Sequence, residues 1–599
     1  MTTPYDVRPW LRFYPAAVPH DVTVPSVPVT HLLDEAAATY PRRRALVFFG
    51  RTITYRRLVK YVDRFAGALR ELGLGKGDRV ALVLPNSPQQ VIAFYGTLRR
   101  GATVVQLNPL YTAAELHYQL ADSGAKIAVV FDGAYETLVT ASRGTPLRQI
   151  IVTSLSEYLP ASKRLALRLP LKRARQARAQ LTTPLPDDPG LRFLKDLLRR
   201  SRSRHHQVAV DPHRDLAALQ YTGGTTGRPK GAMLTHFNLV ANAYQTAAWD
   251  PTGELDGGTV LAVLPLFHVF GLTLCLTTPV LMAGTIVLLP KFDVDMTLKA
   301  IRRWRPAIFP GVPPIYQQIA ESPRARSSHL NSIRVCVSGA MPLSREAVEA
   351  FARATDGAAV CQGYGLTEAS PTALANPLDG NARHVSVGIP LPSTYARIVN
   401  ETDPRIGVPV GEAGELLIYG PQVFAGYWNQ PKETAQVLLS GWLRTGDIAV
   451  MSPDGFFTLI DRKRDVIIVD GFNVYPSEVE EVLASHPAVR ECAAIGVPDR
   501  RQGEMVVAYV VPQPGHPVDP QELIAFSAVR LAEYKVPAEI EIRGELPHNM
   551  LGKVLRRVLR EERAPGARPQ PPSAHGGHPS AEWVRRPTGS DSRIRTSGR

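Results

Sequence analysis

The sequence predicts an α/β protein with a large first domain and a smaller second one, and three observations carry that expectation. The 599 residues exceed what one compact core accommodates. Apolar, β-branched runs such as RVALVLP from Arg79, TVVQLN from Thr103 and KIAVVF from Lys126 read as buried strands. Helix-like stretches such as TYRRLVKYVDRFAGALREL from Thr54 alternate with them, the order that builds largely parallel sheet. No repeat of roughly 20 to 50 residues is present.

The stretch 257–290 carries no Asp, Glu, Lys or Arg and is long enough to cross a bilayer. It contains Pro265, His268, Gly271, Pro279 and Gly284, which divide it into short pieces tolerated at membrane depth only when other protein shields them. Buried core is therefore expected. Asp6, Arg8, Pro9, Arg12 and Pro15 fall where an export signal needs an apolar run. Cys275, Cys336, Cys361 and Cys492 are scattered with no C-x-x-C pair, which argues against a disulfide framework or zinc site and for a reducing cytoplasm.

The net charge of +15 is concentrated in two places. Segment 161–206 carries a net +10 and segment 564–599 a net +4, so the rest is close to neutral and offers no basic groove for nucleic acid. The basic segments also lack interleaved aromatics for base stacking. Segment 161–206, with KRLALRLPLKRARQARAQ, reads as a solvated surface insertion; its leucines and cations also suit contact with an anionic membrane surface. The Pro/Gly/Arg/Ser-rich stretch from Ala564 cannot bury a core and is expected to be a disordered tail.

The most informative stretch is YTGGTTGRPKG at 221–231. Its four glycines and three threonines suit a loop whose amides and hydroxyls wrap phosphate oxygens. It is not a Walker loop, because Arg228 and Pro229 separate Gly227 from Lys230. With PLFHVFG from Pro265, VSGAMPL from Val337, QGYGLTE at 362–368, WLRTGD from Trp442, DRKRD from Asp461, GFNVYPSEVE from Gly471 and LPHNMLGKVLRR from Leu546, the chain resembles the adenylate-forming superfamily. The likeness is closest to long-chain fatty acyl-CoA ligases and runs from about Arg8 to Arg563.

That resemblance implies an N-terminal AMP-binding domain (1–462), a small mobile α+β domain (463–563), and ATP, Mg²⁺ and coenzyme A as the working set. It places Thr222, Gly223, Gly224, Thr225, Thr226, Gly227 and Lys230 on the phosphates. Gly339 and Ala340 fall against adenine, within a nucleotide site completed by Gln362, Gly363, Tyr364 (stacked on adenine) and Gly365. Thr367 meets the α-phosphate, and Glu368 with the Thr225 hydroxyl binds Mg²⁺, a hard cation that takes one or two carboxylates. Asp447 and Arg462 hold the ribose, and Arg464 is the hinge, where most relatives have Lys or Asp. Gly471 lines the coenzyme A channel, His268 borders the acyl pocket, and Lys553 bridges the attacking carboxylate and the α-phosphate. His548 stands where relatives often have Lys or Arg. Acetate-using relatives close the pocket with tryptophan at the position of Gly365, so a long chain is expected here, each buried methylene contributing about 0.8 kcal/mol.

The reaction implied is activation of a fatty acid to its acyl-adenylate with loss of pyrophosphate, then transfer to coenzyme A. Alternatives are a fatty acyl-AMP ligase serving a carrier protein, or a coenzyme A ligase for a medium-chain or aromatic acid. The first commonly carries an insertion between the domains, for which 447–462 leaves no room, and a peptide-synthetase module would expect a carrier domain where only the tail follows. Expected partners are the fatty acid, ATP and coenzyme A, with a peripheral contact at the inner membrane face and a homodimer as further candidates.

Overall fold

The computed structural model describes residues 5, 7–187, 190–201, 208–222, 229–341, 343, 345–463, 465–469, 472–499, 503–549 and 552–563. Four sheets organise them. The expected strands Arg79–Val83, Thr103–Leu107 and Ile127–Phe131 form the centre of a seven-stranded sheet. Leu216–Thr222 lies parallel to Thr103–Leu107, and Lys230–Thr235 returns antiparallel to it. The glycine-rich stretch therefore leaves the sheet at a strand's C-terminal end, where open α/β sheets place their ligands.

The second sheet has nine strands. Its parallel centre includes Thr259–Ala262, Ile308–Gly311, Val335–Ser338 and Ala359–Gly365. VSGAMPL and QGYGLTE thus end adjacent strands, with Ser338 registered opposite Gln362. The third sheet is antiparallel and pairs Trp442–Met451 with Phe457–Arg462, so that Asp447 faces Arg462 directly. A fourth sheet of Phe472–Val474, Ile467–Val469, Gly503–Pro512, Val489–Asp499 and Glu539–Ile542 packs with Pro476–Ala484, Pro520–Ala528 and Arg556–Arg563, an α+β body. One core runs from Tyr5 to Phe457, and separate smaller cores lie between Ile467 and Leu559.

Local sequence explains the elements that carry the site. Thr54 caps the predicted helix, observed as Tyr55–Glu71. Thr235 and Asn238 form a reciprocal capping box that starts His236–Ala248 directly after the strand following the glycine-rich loop. Stretch 257–290 folds as Thr259–Ala262, Val269–Leu272, the π-turn Thr273–Thr277, Thr278–Leu281 and Thr285–Leu288, largely within the core. No described helix is long and apolar enough to cross a membrane.

Segment 161–206 is only half an outlying insertion. Arg192–Phe193 joins the first sheet beside Gln149–Thr153, and Leu194–Arg200 buries Leu194 and Leu198. The helices Ala161–Ala166 and Lys172–Leu181 stand out instead, with Leu165, Leu169 and Leu171 exposed at 66%, 47% and 59%. Their ends are tied down by the Lys163 ammonium donating to the Phe49 carbonyl at 2.9 Å and the Ser154 hydroxyl donating to the Leu181 carbonyl at 3.2 Å. The expected tail, 564–599, lies outside the described residues.

His236 is fully buried, and its Nδ1 accepts the Val29 amide at 3.2 Å. Burial pushes its pKa from 6.5 down to about 4, so the folded protein holds it neutral. Between those values the unfolded chain binds the extra proton, and stability falls as pH drops through that window by up to about 1.4 kcal/mol per unit. Denaturant unfolding at pH 7, 6, 5 and 4 should show this slope, and His236→Gln should reduce it by the share of one of the two buried histidines, His236 and His268, that titrate in this window.

Candidate active site

The site centres on Asp447. Its Oδ1 meets the Arg462 Nε at 2.6 Å and its Oδ2 accepts the Tyr364 hydroxyl at 2.5 Å, while its backbone N–H donates to Thr445 Oγ1 at 3.1 Å. Strand register delivers the first contact and the end of Ala359–Gly365 delivers the second. Burial works against charge on Arg462, but Asp447, Tyr364 and Glu368 together keep its guanidinium above the usual arginine range.

His268 caps Val269–Leu272, its Nδ1 accepting the Phe270 N–H at 3.2 Å. Burial pushes its pKa to about 4, so the ring is neutral and the hydrogen bond assigns its proton to Nε2. Three buried amides hold this loop. The Asn86 NH₂ donates to Ala262 and Leu264 carbonyls at 3.1 and 2.8 Å, and its oxygen accepts the Leu266 N–H at 2.8 Å. The Gln106 amide reaches the Leu266 carbonyl, and that of Gln220 the Phe267 carbonyl. Sequence reasoning passed over these residues; their signal is a lone amide at the end of an apolar strand run.

The nucleotide motifs supply backbone rather than side chains. Ala340 sits at φ 69°, a left-handed conformation that costs a non-glycine residue about 1 kcal/mol or more. At Gly339 a Cβ would lie 3.1 Å from the Phe270 ring and 3.3 Å from the Gly363 carbonyl, so tight packing of the chain favours glycine there; at Gly363 it would find ordinary contact distances. Gly365 has a different reason to be glycine. A Cβ there would stand 2.0 Å from the Pro371 carbonyl, because a register shift between Tyr364 and Gly365 folds the chain back on itself. A side chain at 365 would thus displace the return strand before it narrowed any pocket.

Thr367 and Glu368 occupy the single turn Thr367–Ala369 that follows, and the Glu368 Oε1 accepts the Tyr427 hydroxyl at 2.6 Å. Among the described residues nothing engages its other oxygen, so a carboxylate oxygen is available to a hard cation and the residue fits Mg²⁺. Lys230 pairs with Glu433, and Thr222 lies opposite it in the hairpin. Gly223, Gly224, Thr225, Thr226, Gly227, Arg464 and Gly471 lie outside the described residues.

From the C-terminal body, Lys553 reaches the same place. Asn549 Oδ1 accepts the Lys553 N–H at 2.9 Å, and Gly552 sits at φ 81°. Gly552 is seated against the large lobe, where a Cβ would lie 3.7 Å from both Met341 and Pro314. The Lys553 ammonium retains contact with solvent, yet crowding by protein and the nearby Arg462 hold it below the usual lysine range, with Asp447 opposing. Tyr364, Glu368, Asp447, Arg462 and Lys553 therefore share one electrostatic neighbourhood.

Behind the nucleotide motifs an apolar crevice is lined by Trp249, Leu274, Ile308, Val335, Val337 and Leu378. It holds only about 40 Å³ of free space. Cys361, one of its walls, donates its thiol to the Asn376 carbonyl at 2.9 Å, and burial pushes that thiol up to about 12. Cys275 and Cys336 are likewise buried with raised thiols, and Cys492 is pushed up to about 12.

Residues 33–428 match the AMP-binding enzyme family, and 478–553 match the AMP-binding enzyme C-terminal domain. The chain is 41% identical over 556 residues to a long-chain-fatty-acid–CoA ligase of Bacillus subtilis, covering 93% of this chain and 98% of that one. A ligase of the same name from Escherichia coli is 38% identical over 557 residues, covering 92% and 98%. Among solved structures, ATP-bound MatB from Rhodopseudomonas palustris superposes with a TM-score of 0.77 at 29% identity, covering 89% and 99%. A Mycobacterium tuberculosis fatty acyl CoA synthetase gives 0.68 at 28%, covering 89% and 98%.

The crowding at Gly365 has a measurable outcome. Gly365→Ala should lower activity toward palmitate, octanoate and acetate alike and reduce the melting temperature. A selective loss of the long acid with unchanged melting would mean the position acts only as a gate.

Proposed function

This chain belongs to the AMP-binding enzyme family, and from that premise we infer that it is an ATP-dependent long-chain fatty acid–CoA ligase. The reaction has two halves. A carboxylate oxygen bonds to the α-phosphorus of ATP while the bond to the β-phosphate breaks, giving acyl-adenylate and pyrophosphate. The coenzyme A thiol sulfur then bonds to the acyl carbon, and AMP leaves. The observation that carries this reading is the contact of Asp447 with both Arg462 and Tyr364, with Lys553 of the C-terminal body within the electrostatic reach of Asp447 and Arg462.

The first half brings together two anions, and fixed positive charge offsets their repulsion. Lys553 stands where it would neutralise both. Asp447 accepts the ribose hydroxyls, Arg462 orients Asp447, and Tyr364 packs on adenine. Thr367 donates to the α-phosphate and the neutral His268 presents Nε2–H toward the acyl carboxylate. Glu368, with Thr225, would hold Mg²⁺, which neutralises phosphate charge when bound.

The second half needs Lys553 out of the way. The C-terminal domain, 463–563, turns about Arg464, withdraws Lys553 and brings Gly471 to the pantetheine arm. Support comes from the separate cores of the C-terminal body and from the small van der Waals seat of Gly552 on Met341 and Pro314. One cleft then serves two reactions in sequence.

A cytoplasmic enzyme drawing on membrane fatty acid needs a place to touch the bilayer. The exposed Leu165, Leu169 and Leu171 lie among Lys163, Arg164, Arg168, Lys172, Arg175 and Arg178, with no acidic residue from 161 to 186. Each cation near an anionic leaflet contributes about 1 kcal/mol, and leucines add burial in the headgroup region.

Lys553→Ala should lower acyl-adenylate formation from palmitate at least about 100-fold, read as pyrophosphate release, yet leave thioester formation from supplied palmitoyl-adenylate within about threefold; equal loss in both halves contradicts the domain exchange. Sedimentation with vesicles containing phosphatidylglycerol should retain the wild type, and replacing Arg164, Arg168 and Lys172 by glutamate should release it. Retention of that variant would remove the membrane role of this segment.

A further inference from the structure

One stretch that the motif reading leaves without a role connects the two charged ends of the phosphate cradle. Residues 424–428, FAGYW, run beside the edge strand Lys230–Thr235. The Ala425 N–H donates to the Met233 carbonyl at 3.0 Å, the Met233 N–H to Gly426 at 2.9 Å, and the Trp428 N–H to Gly231 at 2.8 Å. At its other end the Phe424 N–H donates to the Glu368 carbonyl at 2.8 Å. The stretch is therefore a splint between the exit of the glycine-rich loop and the turn that bears Glu368.

Tyr427 sits at its middle and touches both charges. Its hydroxyl donates to Glu368 Oε1 at 2.6 Å, and the Lys230 ammonium lies 5.3 Å from its ring centroid. Its own backbone N–H is held by Thr434 Oγ1 at 2.9 Å, on the helix Pro431–Val437 whose Glu433 pairs with Lys230. Gly426 permits this packing: at φ 126° a Cβ there would stand 2.6 Å from Thr434 Cγ2. A phenol fixed at backbone and ring has little freedom, so its hydroxyl fixes the Glu368 carboxylate as well.

We propose that Tyr427 is a positioning residue that aims the Glu368 carboxylate at the divalent cation accompanying the nucleotide. With Oε1 occupied by the phenol, Oε2 is left as the metal-facing oxygen, and the Tyr427 ring sets the spacing between Glu368 and Lys230. The inference rests on the reading of Glu368 as a metal ligand given above and adds what orients it.

Tyr427→Phe keeps the ring and removes only the hydroxyl. The measurement is Mn²⁺ affinity by electron paramagnetic resonance, with α,β-methylene-ATP bound so that no reaction occurs. Tyr427→Phe should weaken Mn²⁺ binding roughly fivefold, with unchanged affinity for the metal-free analogue. In the Glu368→Gln background, itself weak in Mn²⁺, the same change should have no further effect. Mn²⁺ affinity equal to or tighter than wild type in Tyr427→Phe, with Glu368→Gln still weakened, overturns the proposal while leaving Glu368 as ligand. Equal weakening by Tyr427→Phe in both backgrounds means a general structural role and also overturns it. Undiminished Mn²⁺ binding in Glu368→Gln removes the underlying reading itself.

Discussion

The buried carboxylate of Asp447 is the constraint around which the site is built. An isolated carboxylate at 3% exposure is costly, and two strands and a lobe contribute to making it tolerable: Arg462 from the opposite strand, Tyr364 from the end of a parallel one. Arg462 ends the strand Phe457–Arg462, and the separate core of the C-terminal body begins at Ile467. Lys553 then enters a field already shaped by one anion and one cation. In the proposed reaction, the joining of two anions would depend on an ion pair that takes no part in bond making.

Much of this arrangement was legible in the sequence because the motifs are contiguous and end strands. QGYGLTE, WLRTGD and DRKRD are each recognisable locally, whereas the β-branched runs that predict strands lie at Arg79, Thr103 and Lys126. The α/β reading and the buried fate of 257–290 follow from the same periodicities. What was not legible depends on partners distant in the chain. Asn86, Gln106 and Gln220 lie far from His268 in sequence and look like unremarkable amides until the Leu264–Phe267 backbone is laid across them. Tyr427 is 59 residues from Glu368, and no spacing rule links them.

Two sequence readings needed spatial information to sharpen. Gly365 reads as the absence of a plug, yet its Cβ direction is taken by the Pro371 carbonyl, so glycine is demanded by the fold-back before substrate size enters. The basic segment reads as a single insertion because charge is its only visible property. Leu194 and Leu198 reveal that its second half belongs to the sheet, which leaves 161–181 as the part that faces outward.

An enzyme that manufactures an acylating mixed anhydride runs the hazard of acylating itself. Thiolates are the groups most prone to intercept such a species, and one cysteine, Cys361, immediately precedes Gln362 of the QGYGLTE motif. Its sulfur is turned onto the Asn376 carbonyl and kept protonated by its surroundings, as are the other three thiols. The incoming cosubstrate therefore meets no ionised internal thiol to compete with it.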